Sequence, residues 1–259
     1  MKYKLIEYST AHRLAYITLN RAGKKNAFNG ELIPELKNAF SIAEKDKNVK
    51  IIILKANGDV FSAGADLEYL QQLQKNSFEE NLADSTHLSE LFLKIYLNEK
   101  IVIAQIEGHA IAGGCGLATV CDFSFAVPEA FFGYTEVKIG FIPAIVMFFL
   151  LRKTGEAKAK ELLLSGKLID AKTAQQYGLL NFISSKKNIS SDVEKFAFQL
   201  CEEASAQSLK TTKMMIAKIQ DMNWTDAIDF TRKENARARN HPDCKKGIAS
   251  FLKKEKIKW

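Results

Sequence analysis

Ile101-Val102-Ile103-Ala104-Gln105-Ile106-Glu107-Gly108-His109-Ala110-Ile111-Ala112-Gly113-Gly114-Cys115-Gly116 is the stretch from which the fold is read. Ile101 to Ile106 is short, apolar and rich in β-branched residues, the pattern of a strand buried in a parallel sheet. It ends at Gly108, and the small residues from Ala110 to Gly116 lead into an apolar helical turn, Leu117 to Val120. A junction of the same kind lies upstream. Val49 to Leu54 is an apolar strand, followed by Asn57-Gly58-Asp59 and then by Phe61-Ser62-Ala63-Gly64-Ala65-Asp66. Phe123 to Val127 reads as a third buried strand. Strands that alternate with helical segments imply parallel pairing through βα crossovers, an α/β fold.

Working outward, Tyr3 to Tyr8 and Leu14 to Leu19 read as a hairpin with Ser9 to Arg13 between them. Asn29 is a good N-cap for a helix through about Glu44 that carries Leu32, Leu36, Ala39, Phe40 and Ala43 on one face. Helical spacing returns from Phe78 to Leu97, and Ser190 to Lys258 is helical throughout, restarting at Pro242. No internal repeat or low-complexity linker interrupts the chain. The pattern is an α/β core followed by a helical C-terminal part.

Composition narrows the class. Of 259 residues, 47% are apolar and 26% charged, which excludes a disordered chain and a collagen-like one. The excess of 37 basic over 30 acidic residues gives a net charge of +7. That suits nucleic acid, a membrane surface or an anionic small molecule, and no nucleic-acid motif selects the first. The four cysteines, Cys115, Cys121, Cys201 and Cys244, show neither CxxC pairing nor zinc-finger spacing, so free thiols and no metal are expected. Met1 to Thr10 lacks the apolar core of a signal peptide, and the most apolar run, Ile139 to Leu151, is too short to span a bilayer. A soluble cytoplasmic protein is the expectation.

The two small-residue loops carry the chemistry. In parallel sheets ligands bind beyond the carboxyl ends of the strands. A backbone N–H reaches a ligand only where no side chain blocks it, which suits Gly and Ala. Two such loops can aim two amides at one oxygen and form an oxyanion hole, and a helix opening at the second loop adds its dipole. Each loop alone is also compatible with ordinary turn chemistry. The second is neither a GxGxxG fingerprint nor a Walker A loop.

At this point the residues carry a resemblance. Leu19-Asn20-Arg21 with Lys24 to Asn29, Phe61 to Leu67, Gly108 to Cys115, Ala118 to Asp122, Phe132 through Gly140, and Gly247 to Trp259 resemble, in order, the crotonase or enoyl-CoA hydratase/isomerase superfamily. The resemblance implies a crotonase ββα spiral core over residues 1–190 and a helical trimerisation region over 191–259. It implies that the N–H groups of Ala65 and Gly113 hold the thioester oxygen of an acyl-CoA. It implies coenzyme A as part of the substrate rather than a separate cofactor, and a homotrimer or a hexamer built as a dimer of trimers.

Hydratases of the family carry two glutamates beside the double bond. Glu136, in Gly133-Tyr134-Thr135-Glu136, matches the second. The first would follow Cys115, where this chain has Gly116. Glu136 is therefore the expected acid/base. Losing a carboxylate removes a like charge from a partly buried pocket, which favours an acyl group carrying its own carboxylate. The segment Thr135 to Ala144 together with Gly116 also resembles bacterial 3-methylglutaconyl-CoA hydratases of leucine breakdown. The expected reaction is hydration of a 2-enoyl-CoA. The alternatives are a 3,2-trans-enoyl-CoA isomerase using one glutamate, an acyl-CoA decarboxylase, and a CoA-ester binder without catalysis.

The resemblance also assigns substrate contacts. Lys24 and Lys25 stand in the CoA loop, with Ala27 behind them and Ala63 near the adenine. Phe251 and Lys254 of the C-terminal helix lie near a CoA site, often that of a neighbouring subunit. Asp66, which neighbours an oxyanion residue, Leu67, Gly116 and Tyr134 complete the substrate-binding set. The blander roles are an N-cap for Asp66, packing for Tyr134, a structural His109, inert buried thiols and solvated lysines on the helix face.

Overall fold

The computed structural model describes residues 3–259; Met1 and Lys2, which begin the expected core segment, lie outside the described residues. β1 (Ile6–Ala11) and β2 (Leu14–Leu19) form the expected hairpin. Its strands run further than the composition implies, since Ser9, Thr10 and Ala11 pair with Tyr16, Ala15 and Leu14. The turn is therefore His12-Arg13 alone, both left-handed with φ of 48° and 69°. Non-glycine residues are uncommon there. Arg13 is held in place by its guanidinium, which donates to the carbonyls of Cys201 and Trp259.

α1 (Leu32–Lys45) begins after Asn29, whose Oδ1 accepts from the Leu32 amide at 2.9 Å, and it buries the predicted apolar face. β3 (Ile51–Ala56) and β4 (Val60–Ser62) follow, then α2 (Leu67–Leu73) and α3 (Phe78–Tyr96). Ser77 caps α3 in a capping box with Glu80. β5 (Ile101–Ile106) is buried over its whole length, as its sequence predicts. β6 (His109–Ile111), α4 (Gly113–Thr119), β7 (Phe123–Ala126) and β8 (Phe131–Gly133) complete the region of the two loops. α5 (Ala144–Ser165) bends at Gly155, whose φ of 74° and ψ of 167° are not helical. β9 (Ile169–Asp170), α6 (Ala171–Gln176) and β10 (Phe182–Ile183) lead into α7 (Ile189–Glu203), α8 (Ala206–Ile219), α9 (Trp224–Asn240) and α10 (Pro242–Leu252). No described helix is long and apolar enough to cross a membrane.

The strands form two sheets. The larger has the order β1-β2-β3-β5-β7-β10 and is parallel apart from the β1–β2 hairpin; the smaller has the order β4-β6-β8-β9. Three times the chain lays a strand in the larger sheet, a short strand in the smaller one, and then a helix: β3-β4-α2, β5-β6-α4 and β7-β8-α5. This is the expected ββα spiral. The strands of the smaller sheet are too short to show a period in the sequence, so only the larger sheet is legible there.

The C-terminal part is helical as predicted as far as Leu252, with Pro242 at the first turn of α10, but not to Lys258, since the backbone leaves the helix at Lys254, which is left-handed with φ of 57°. α7 buries Ile189, Val193, Ala197 and Cys201, and it packs on β5 and β7. α8 is tied to the core by a buried ion pair. Lys213 Nζ lies 2.7 Å from Asp122 Oδ2 and also donates to the carbonyls of Lys100 and Ile95. Removing one partner of such a pair leaves an uncompensated buried charge. Lys213→Ala is expected to cost about 3 kcal/mol of unfolding free energy, read from denaturant midpoints at constant m-value.

Candidate active site

The short strands of the smaller sheet place the site. β4, β6 and β8 lie side by side and parallel, with Ser62 opposite Ala110, Ala110 opposite Phe132 and Ile111 opposite Gly133. Their carboxyl ends therefore open at one edge. Ala65 follows β4, Gly113 follows β6 and Glu136 follows β8. Residues far apart in the chain are thus carried to the same edge of the smaller sheet because three short strands end together.

The two predicted amides are free to donate. The Phe28 amide donates to Gly64 O at 2.7 Å and the Asp66 amide to Phe28 O at 2.9 Å, so Ala65 sits in a parallel bridge with its own N–H directed away. Gly113 opens α4, where the first amides have no intrahelical acceptor. Among the described residues neither amide has a hydrogen-bond acceptor. The loops touch: a side chain on Gly64 (φ 84°) would come within 2.8 Å of Ala112 Cβ and 2.9 Å of Gly113 N. Ala112 holds φ 52° and ψ −129°, a conformation that costs an alanine about 1–3 kcal/mol. Its amide donates to Gly133 O at 2.7 Å, which fixes the strained turn to the segment leading to Glu136.

Asp66 caps α2, accepting from the amides of Glu68 and Tyr69, and pairs with Arg21 at 2.7 Å. Burial pushes its carboxyl up, but the Arg21 guanidinium and the two amides outweigh this and hold it below the usual carboxylate range. Asn26 is fully buried, accepts from the Arg21 amide and donates to the carbonyls of Asn57 and Val60. Arg21 and Asn26 thus brace the first loop. Both stand in the motif that carries the resemblance, yet nothing in their spacing shows that they serve Ala65.

Glu136 is 9% exposed, and its Oε2 is buried with no hydrogen-bond partner among the described residues. Burial raises its carboxyl above the ordinary glutamate value, partly offset by its own backbone amide. Gly116 is also buried, and the space beside it is closed. A Cβ added there would stand 2.3 Å from Val146 Cγ1 and 3.2 Å from the Phe92 ring. The glycine removes a charge, as expected, but leaves no cavity, because hydrocarbon fills the space a side chain would take. Tyr134 is fully buried, with its hydroxyl 2.7 Å from Thr119 Oγ1, so of its two expected roles the structure shows packing and not substrate contact. Burial pushes the Cys115 thiol up to about 12, which leaves it inert.

The remaining predicted residues spread around this edge. Ala63 donates its amide to Lys25 O at 3.0 Å, binding the predicted CoA loop to the first small-residue loop. Ala27 is buried behind it, while Leu67 is exposed at the start of α2. Lys24 pairs with Glu68 at 2.8 Å on the surface, and Lys25 has left-handed backbone. His109 Nδ1 accepts from the Phe131 amide, a structural role. Phe251 is 83% exposed on α10, which packs on α9, and Lys254 lies just beyond the helix end.

The family description Enoyl-CoA hydratase/isomerase matches residues 9–259, and the chain belongs to that family. It is an enzyme of the crotonase fold. A Thermus thermophilus protein assigned as an enoyl-CoA hydratase is 35% identical over 96% of this chain and 98% of its own. A crotonyl-CoA hydratase of Syntrophomonas wolfei is 30% identical over 100% and 99%. The crystal structure of an enoyl-CoA hydratase from Shewanella pealeana superposes with a TM-score of 0.94 at 28% identity, covering 100% of this chain and 97% of that one.

Two outcomes follow from this geometry. Because the folded protein holds the Glu136 proton more tightly than the unfolded chain, stability falls as pH rises through the raised value. Glu136→Gln is expected to raise the unfolding midpoint at pH 7, and the gain to vanish as pH drops below about 4, where the unfolded glutamate is protonated. Gly64→Ala, strained and driven into Gly113, is expected to lower turnover about 100-fold, as loss of one oxyanion donor does.

Proposed function

We propose that this chain adds water across the double bond of a 2-enoyl-CoA. The buried, unpartnered Oε2 of Glu136 at the edge that presents two free amides carries the proposal. The thioester oxygen accepts from the Ala65 and Gly113 amides. Glu136 takes a proton from water as the oxygen bonds to C3, and the C2–C3 π electrons move onto the thioester as an enolate. Glu136 then returns that proton to C2. One carboxylate serves both transfers on one face, so the addition is syn. Its raised pKa brings it closer to neutral pH, where a general base is most effective. The crotonyl-CoA hydratase among the relatives supports this reaction class.

Within that class the acyl group is proposed to be dicarboxylic, such as 3-methylglutaconyl-CoA, a substrate of leucine breakdown. The support is electrostatic: no second acid side chain stands at position 116, and its flank is Val146 and Phe92. A substrate carboxylate lies elsewhere in the pocket, since that flank has no room. Lys24 exchanges Glu68 for a CoA phosphate, with Lys25 beside it. Phe251 and Lys254 reach the CoA of a neighbouring copy in a homotrimer or hexamer assembled through residues 191–259, which buries such exposed groups as Trp224 and Phe251. The free thiols suit the cytoplasm as its compartment.

The test follows conjugated-thioester absorbance with crotonyl-CoA, 3-methylglutaconyl-CoA and a 3-enoyl-CoA. Absorbance is expected to fall fastest with 3-methylglutaconyl-CoA and not at all with Glu136→Gln. The acid limb of kcat/KM is expected above the ordinary glutamate pKa of about 4.3. A rise with the 3-enoyl-CoA and no fall elsewhere makes the enzyme a 3,2-trans-enoyl-CoA isomerase. Equal rates on crotonyl-CoA and 3-methylglutaconyl-CoA remove the dicarboxylic preference.

A further inference from the structure

Thr119 and Tyr134 meet in the core with their hydroxyls 2.7 Å apart, and both side chains are buried. Thr119 Oγ1 also donates to Cys115 O at 2.8 Å. A hydroxyl has one proton, so Tyr134 must be the donor to Thr119. This bond lies between two segments that each end in a reacting group. Thr119 is the last residue of α4, whose first residue is Gly113. Tyr134 stands two residues before Glu136.

The same segments are joined a second time, where the Ala112 amide donates to Gly133 O at 2.7 Å. α4, about 10 Å long at 1.5 Å per residue, is thus fastened at both ends to the segment that carries Glu136. Its far end is fastened again by Lys153, whose Nζ donates to the carbonyls of Thr119 and Cys121 at 3.0 Å each. The three ties close a frame. One corner is the Gly113 amide and the other is the start of the Glu136 turn.

We propose that Tyr134 is a positioning residue: its hydroxyl bond to Thr119 sets the distance between the Gly113 amide and the Glu136 carboxylate. The role rests on the hydration reading above, in which the oxygen held by Gly113 and the carbons served by Glu136 belong to one substrate. Tyr134 itself is sealed from the substrate. Without its bond the oxyanion end stays fastened through Ala112, while the carboxylate end gains slack. Proton transfer is sensitive to that slack, since a displacement of about 1 Å can cost about 100-fold.

The experiment compares Tyr134→Phe, Thr119→Val and the double variant, reading unfolding midpoints, kcat and KM on the best enoyl-CoA of the panel. Each single variant leaves a buried polar atom without its partner and loses stability. The double variant strands neither hydroxyl and regains it. A positioning role predicts that kcat falls about tenfold in both single variants and stays down in the double, with KM within about twofold. Should Thr119→Val fail to fold, Thr119→Ser, which keeps the hydroxyl, is expected to retain the turnover that Tyr134→Phe loses. A double variant whose kcat recovers with its stability overturns the positioning role, as does a Tyr134→Phe enzyme with full kcat. An unmodified protein that turns over no enoyl-CoA overturns the hydration reading beneath it, a result distinct from either.

Discussion

The parallel pairing of β4, β6 and β8 is the constraint on which the molecule depends. Each strand is three residues long, too short to be stable by itself. Each is held because the preceding strand of the larger sheet, β3, β5 or β7, is anchored in the core. The larger sheet supplies burial and the smaller one spends it on alignment. Three loops then leave the sheet at one edge, carrying Ala65, Gly113 and Glu136.

That edge separates two kinds of electrostatics. On one side lie backbone dipoles without acceptors, at Ala65 and Gly113. On the other lies the Glu136 carboxyl, largely removed from water, with Oε2 unpartnered among the described residues. Both arrangements are unfavourable in the folded chain alone, since unpaired polar groups away from water destabilise it. In the proposed hydration they become favourable when a thioester oxygen meets the amides and a water molecule meets the carboxylate. The strained Ala112, the left-handed Gly64 and the unpartnered Glu136 are therefore three expressions of one requirement, a site shaped before its substrate arrives. The bracing around it has the opposite character: Asn26 and Asp66 are buried, Arg21 is half-buried, and their side chains are hydrogen-bonded.

Gly116 shows how composition and packing can differ in meaning. Read in the chain, a glycine in place of a carboxylate is a gap. In the fold Val146, thirty residues later, occupies that gap with a methyl group. The charge is absent, as the residue type dictates, but the volume is not available. Tyr134 is a parallel case. Its place beside Glu136 leaves substrate contact and packing both open, and the fold decides for packing, with its hydroxyl turned inward to Thr119.

The long elements were legible because their periodicity is a property of neighbouring residues. β5 is continuous apolar sequence, α1 shows its buried stripe, and the C-terminal helices carry amphipathic spacing with Pro242 at a restart. The two small-residue loops were legible for a similar reason, as Gly and Ala at strand ends permit backbone to approach a ligand. The smaller sheet, the bend at Gly155 and the two-residue turn at His12-Arg13 were not, since each depends on partners distant in the chain. By itself, then, the sequence determined which residues could do chemistry: two unobstructed amides and one carboxylate without a second beside it. Only the tertiary structure decided that these groups share an edge, that Val146 closes the space at Gly116, and that Tyr134 faces inward. Side-chain type sets what a group can donate or accept. Which groups meet is set by strand register and close packing between segments that no local pattern connects.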